Sequence, residues 1–186
     1  MFSKKKEQRN KLLKSIKHFG DSYRVSKKKP FIVLGRFPIN VRVYKDTPEK
    51  GMVTFITVGL SYFDLNICDH NLIRQELVLT IEGNYQDDVF ENLLYKISMK
   101  MIKERRPLFP EEVIDINVNG LVNVVPTEYS NLVAESGVWF DPELLTFYVN
   151  DIQTVFVEIL LVSNELGSLA LTNFESYKQK YRLASF

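Results

Sequence analysis

Met52-Val53-Thr54-Phe55-Ile56-Thr57-Val58-Gly59-Leu60 is the stretch that decides the fold class. It is dense in Val, Ile, Thr and Phe, whose branched or aromatic side chains suit the pleated surface of a sheet better than a helix. It therefore reads as a β-strand. The turn Asp46-Thr47-Pro48-Glu49-Lys50-Gly51 precedes it. Before the turn, Phe37 to Tyr44 alternates in part, with Val41 and Val43 on one face and Arg42 on the other. After it, Arg74 to Ile81 is a further strand.

Working outward, Asp88 with Glu91 three residues later has the form of a capping box. Phe90, Leu94, Ile97 and Met101 then recur at helical spacing, and Arg105-Arg106-Pro107 closes the helix with cations and a proline. Val113 to Val118 and Leu121 to Val125 flank Asn119-Gly120, a hairpin signal. Phe147 to Asn150 and Thr154 to Val162 read as strands, the second central because it is nearly all apolar. Thr172 with Glu175 is a second capping-box match, opening a closing helix with Phe174, Tyr177 and Tyr181 on one face. At the other end, Leu12, Leu13, Ile16 and Phe19 place an amphipathic helix over residues 4–19. Strands and helices do not alternate regularly. The expected class is α+β, a mixed, mainly antiparallel sheet packed by helices.

The 186 residues suit one domain of ordinary size, with a basic helical arm at 1–29 and the body at 30–186. A chain of this length buries roughly 70% of its unfolded surface. With 45% hydrophobic and 25% charged residues it is neither a disordered tail nor a disulfide-stapled mini-protein. The lone Cys68 has no internal partner, which points to a reducing compartment. No apolar h-region follows the basic start, and the longest clean aliphatic run is Ile159 to Val162, against the ~18 residues of a membrane helix. The expected location is the cytoplasm.

The formal net charge of +1 hides an asymmetry. The first 36 residues hold twelve Lys or Arg and two acids, a net +10, which leaves −9 on the rest. From Pro107 to Tyr177 there is no Lys, Arg or His, yet there are eleven acids. Such a segment gives one side of the molecule a negative field that would speed capture of a basic partner by ~10- to 1000-fold.

Catalytic parts are few. Cys68-Asp69-His70 reads as a loop thiol beside a solvated imidazole, since a Cys–His pair needs facing side chains and an orienting third group. Zinc would need four ligands, and no CxxC or HxxxH is present. There is no GxGxxG, GxxxxGK[ST] or GxSxG. Glu76, inside an apolar strand, reads as an outward-facing residue paired with a neighbour such as Arg74. No catalytic, cofactor-binding or metal-binding residue is assigned, and no cofactor is expected. The basic arm has the charge density to bind nucleic acid but lacks interleaved aromatics, so it reads instead as a helix packed on the body.

Thr54-Phe55-Ile56-Thr57-Val58-Gly59-Leu60-Ser61 resembles the T-x-x-T-x-G-(M/L)-S segment of the suppressor of fused domain family. Arg74-Gln75-Glu76-Leu77 is similar to that family's R-x-E-L strand, and a long helix follows as the family has it. Val157 to Glu165 resembles its apolar strand running into an acidic residue. The resemblance spans roughly residues 30 to 183. The family's proline after the last strand is replaced by Ser163-Asn164, and its aromatic-rich region before the helix is absent.

The resemblance implies a non-catalytic α+β binding module. In animals the family sequesters a transcription factor, and bacterial single-domain relatives act as immunity proteins against a cognate toxin, often a nuclease. The short chain looks like the bacterial form. The expectation is a stoichiometric immunity or antitoxin protein, a monomer or weak dimer, facing a toxin or other basic protein and no membrane. Glu111, Glu112, Asp115, Glu128, Glu135 and Asp141 would steer the encounter, and Tyr129, Trp139 and Phe140 would anchor it. The competing readings are a general module that sequesters a regulator, and an enzyme centred on Glu76.

Overall fold

Strand β3 (Pro38–Lys45) runs into the 46–51 turn and returns as β4 (Met52–Val58), antiparallel, with Val43 opposite Phe55. Asp46 closes the turn by accepting from the Gly51 N–H at 2.9 Å. Gly51 stands at φ +89°, a conformation open to glycine and strained for other residues. A computed structural model of the protein describes residues 23–25, 31–32, 38–68, 71–83, 87–117, 120–121, 125–136, 138–140, 145–149 and 152–184.

On the far side of β4 lies β6 (Asn71–Glu82), antiparallel to it, which also forms a hairpin with β5 (Leu65–Cys68). Next to β6 comes β10 (Ile152–Val162), distant in sequence and parallel to it, with Thr154 opposite Arg74 and Ile159 opposite Leu79. Then follow β8 (Asn131–Glu135) and β7 (Val113–Asp115), each antiparallel to its neighbour. Beyond β3, β1 (Tyr23–Val25) pairs antiparallel, so three residues of the stretch read as an arm belong to the sheet. The order is β1-β3-β4-β6-β10-β8-β7, with β2 (Phe31–Ile32) on β3 and β9 (Thr146–Val149) on β10. The sheet is mixed and mostly antiparallel, as expected. Among the described residues, its one parallel pair is β6 with β10.

The sheet is covered on both faces. Side chains alternate along each strand, so Phe55, Leu77, Leu79, Val157 and Ile159 face helix α1 (Asp87–Glu104). That helix buries Phe90, Leu94, Ile97 and Met101, the stripe its period anticipates, and the Phe90 ring lies 5.6 Å from that of Phe55. The other face carries Ile56, Val78 and Phe156 in one cluster and Val133, Leu160 and Val162 in a second. The second packs under helices α2 (Asn164–Thr172) and α3 (Phe174–Ala184), through Ala170 and Tyr177. Each such full burial is worth about 1.5–3 kcal/mol against exposure.

Several local expectations shift. Leu121 N–H donates to Ile116 O at 2.9 Å, and β7 pairs with β8, while residues 118–119 and 122–124 of the expected hairpin lie outside the described residues. Neither β8 nor α2 stands out in the sequence, because both are short and carry polar residues. The cap of α3 is Asn173, whose Oδ1 accepts from Ser176 N–H at 3.0 Å. Thr172 instead ends α2 and donates to the Ser168 carbonyl at 2.9 Å. The helix expected at 4–19 lies outside the described residues, as do Asp69, His70 and Asp141. Among the described residues, no helix is long and apolar enough to cross a membrane.

Candidate functional site

Glu76 corrects the sequence reading. It is fully buried, not outward-facing, and Arg74 pairs with Asp64 at 2.7 Å. Strand β4 ends at Val58, and the chain bends through Gly59 (φ +117°) into a 3-10 turn at Leu60–Tyr62. The bend aims its donors at one carboxylate. Oε1 accepts from the N–H groups of Gly59 at 2.9 Å and Ser61 at 3.0 Å, and Oε2 from the Thr57 hydroxyl at 2.6 Å. Burial raises the Glu76 pKa to about 7 and outweighs these hydrogen bonds, which act to lower it. With no exposed surface, Glu76 holds the bend that follows β4.

Gln75, beside it, points to the opposite face. Its amide donates to Leu108 O at 2.8 Å and accepts from Leu108 N at 2.9 Å. That pair fixes the chain as it leaves α1, a role no sequence signal marked.

The acids of the cation-free stretch are dispersed by the fold. Glu111 meets Lys178 of α3 at 3.1 Å, and Glu112 meets Arg106 at 2.5 Å and the Phe109 N–H at 3.1 Å. Asp115 accepts from Asn117 N–H at 2.7 Å. Glu165 pairs with Lys180. Glu128 is exposed and Glu135 is buried. The cations that flank the stretch in sequence thus return to it in space. Of the aromatics, Tyr129 packs on the α1-side core, Phe140 on the Ile56–Phe156 cluster and Trp139 on the α3-side cluster, each half-buried.

One group of these residues does converge, where β8 and β10 meet α3. Glu158 and Glu135 are cross-strand partners, and the α3 residues Tyr177 and Lys178 lie close by. Glu158 is 1% exposed, and its two oxygens accept from Val138 N–H at 2.7 Å and Trp139 N–H at 2.9 Å. A buried carboxylate that receives two backbone donors is a strong local tether. It fixes the backbone at Val138, 37% exposed, and at Trp139, which packs on the α3-side cluster. Burial pushes the Glu135 pKa up and Lys178 opposes this. Burial also pushes Tyr177 far up, with Tyr181 and Glu135 adding to the effect. Among the described residues no cluster of His, Cys, Asp and Glu has the arrangement of a metal site.

The same architecture occurs in solved structures. A SUFU (suppressor of fused protein) homologue from Neisseria gonorrhoeae superposes with a TM-score of 0.64 at 11% identity, over 94% of this chain and 86% of that one. The Sufu–Fu complex and Drosophila Suppressor of Fused each superpose with a TM-score of 0.48 at 15% identity, over 71% of this chain and 63% and 35% of those chains. The domain is SUFU-like in fold, as the strand segments at 54–61 and 74–79 imply. No family model matches the sequence. No curated protein matches it either.

Proposed function

We propose that this chain is a non-catalytic binding protein that occupies a surface of a protein partner, in the manner of an immunity protein that neutralises a cognate toxin. The observation that carries the reading is the tether from Glu158 to Val138 and Trp139. It holds an exposed valine and the edge of a tryptophan in one geometry before any partner arrives. Association is costly chiefly where loops must be ordered, so a pre-ordered apolar contact beside charged groups suits stoichiometric capture. Trp139 is the anchor, Val138 extends it, and the acids Glu111 and Glu128 would favour the approach of a basic partner. The exposed free thiol of Cys68 fits a reducing, cytoplasmic setting. The sequence resemblance to bacterial immunity proteins of the family supports the choice of a toxin as the partner.

The test begins with the full chain purified from its native cell and the co-purifying protein identified by mass spectrometry. The reconstituted pair is then titrated. Neutralisation of the partner's activity that saturates at equimolar ratio, with affinity reduced at least tenfold by Val138→Glu, supports the reading. A partner left fully active at saturation, or a small molecule turned over by the chain alone, ends it.

A further inference from the structure

We propose that Glu135, with the Tyr177 hydroxyl beside it, receives an arginine side chain of the protein partner. The inference rests on the binding role proposed above and deepens it by naming the partner group that this surface selects.

The fold puts Glu135 next to Val138 and Trp139. Glu135 and Glu158 are opposite residues of β8 and β10, so their β-carbons stand ~5 Å apart. The Glu158 oxygens in turn accept from Val138 N–H at 2.7 Å and Trp139 N–H at 2.9 Å. A partner that covers Val138 and Trp139 therefore reaches the end of β8. The chain leaves the sheet there through the exposed Ser136, and Glu135 keeps 7% of its surface exposed.

Two groups at this point have unspent hydrogen-bonding capacity. An ionised carboxylate has about four acceptor sites. Glu135 takes one backbone donor, the Ser136 N–H, and the nearby Lys178 is bound instead to Glu111 at 3.1 Å and Glu175 at 3.5 Å. Tyr177 is the second group. It packs on Val133 and Leu160, and the next opposed pair on that face of the two strands is Glu135 and Glu158. Its hydroxyl has no hydrogen-bond partner although the residue is only 1% exposed. The charge of Glu135 acts on that hydroxyl, which places the tip of the ring at the acid. Leaving such a buried polar group unmatched is costly, and a ligand donor that Tyr177 and Glu135 can both accept from removes the cost.

Charge selects a cation. Glu111, Glu135, Glu158 and Glu175 share this end of the sheet with one base, Lys178. An anion would be repelled, and a neutral side chain would leave the Glu135 charge unanswered. A guanidinium suits the place better than an ammonium. It is more weakly hydrated, and its planar fork supplies several donors in fixed directions. It also stacks on aromatic rings, and Trp139 packs half-buried on the same cluster as Tyr177.

The test uses the full chain and the peptide acetyl-Leu-Arg-Leu-amide. Binding is read by calorimetry and from the emission of Trp139, the one tryptophan. Saturable binding is expected. It should weaken at least tenfold when citrulline, which keeps the shape and loses the charge, replaces the arginine, and at least threefold when lysine does. Glu135→Gln should weaken it at least tenfold and Tyr177→Phe at least threefold, with thermal melts confirming that each variant is folded. Glu49→Gln, in the turn at 46–51, should bind as wild type. No saturable binding at millimolar peptide, equal binding of the citrulline or lysine peptide, undiminished binding by either variant, or an equal loss in Glu49→Gln overturns the proposal. Should a variant fail to fold, the three peptides on the wild-type chain decide alone. The partner itself takes no part, so the two readings fail separately. Neutralisation of the partner without arginine binding strikes only this inference, and arginine binding without neutralisation strikes only the function proposed above.

Discussion

Glu158 on β10 lies directly opposite Glu135 on β8, so two carboxylates face each other across neighbouring strands with both side chains buried. Like charges in this position repel. The fold answers by giving each a separate partner set: two backbone N–H groups for Glu158, and the field of Lys178 with the Ser136 N–H for Glu135.

Glu158→Ala removes both acceptors of the Val138–Trp139 loop. We expect a loss of about 2–4 kcal/mol in urea unfolding, as for other buried charge-assisted hydrogen bonds. The protein has one tryptophan, so its emission reports the loop directly. A red shift is the expected signature, and unchanged emission would mean that the loop holds without Glu158.

Lys178→Met keeps the aliphatic stem and deletes the charge that opposes the upward shift of Glu135. The Glu135 pKa should rise further, read by carbon-13 NMR titration of the glutamate carboxyls. An acid whose folded pKa lies above its unfolded value contributes stability at low pH that is lost as pH rises through the folded pKa. The variant should therefore lose more stability relative to wild type at pH 8 than at pH 4.

Glu76 follows the same sign. Its folded pKa of about 7 lies above the usual 4.5, so its contribution is fully present below pH 4.5 and fades as pH rises through 7. The full difference is on the order of 3 kcal/mol. When protonated, Oε2 donates to Thr57 while Oε1 still accepts from Gly59 and Ser61, and a glutamine amide reproduces this pattern. Relative to wild type, Glu76→Gln should gain stability between pH 5 and pH 8 in urea melts. A constant difference across that range would contradict the assignment.

Gly167 of α2 packs directly on β8. A β-carbon there would stand 2.1 Å from Nδ2 and 2.7 Å from Cβ of Asn131. Gly167→Ala should cost about 1–3 kcal/mol in spite of alanine's better helix propensity. Asn131→Gly in the same chain should recover much of the loss, and strict additivity in a double-mutant cycle would refute the contact.

Glu111→Lys with Glu128→Lys should slow association with a basic partner and weaken its salt dependence, measured by stopped flow once the partner is in hand. Unchanged rates at low salt would remove steering from the mechanism. Glu135 is unsuitable for this test, because a reversal in a buried position would disturb the fold.

Sequence periodicity alone determined the strands β3, β4, β6 and β10, the helix α1 and its buried stripe, and hence the α+β class. Residues 52–58 state their strand locally through a density of β-branched and aromatic side chains, and residues 90–101 their buried stripe through apolar side chains that repeat every 3.6. Tertiary structure alone decided which acids are surface groups. Glu76, Glu135 and Glu158 read like any other carboxylates, and the donors that hold Glu76 and Glu158 come from backbone at 59, 61, 138 and 139. The same holds for Lys178 and Arg106, which stand just outside the cation-free stretch in sequence and return to its acids in space. A hydrophobic pattern is a property of one segment, whereas the state of a charge depends on whichever groups the completed fold brings within a few ångströms of it.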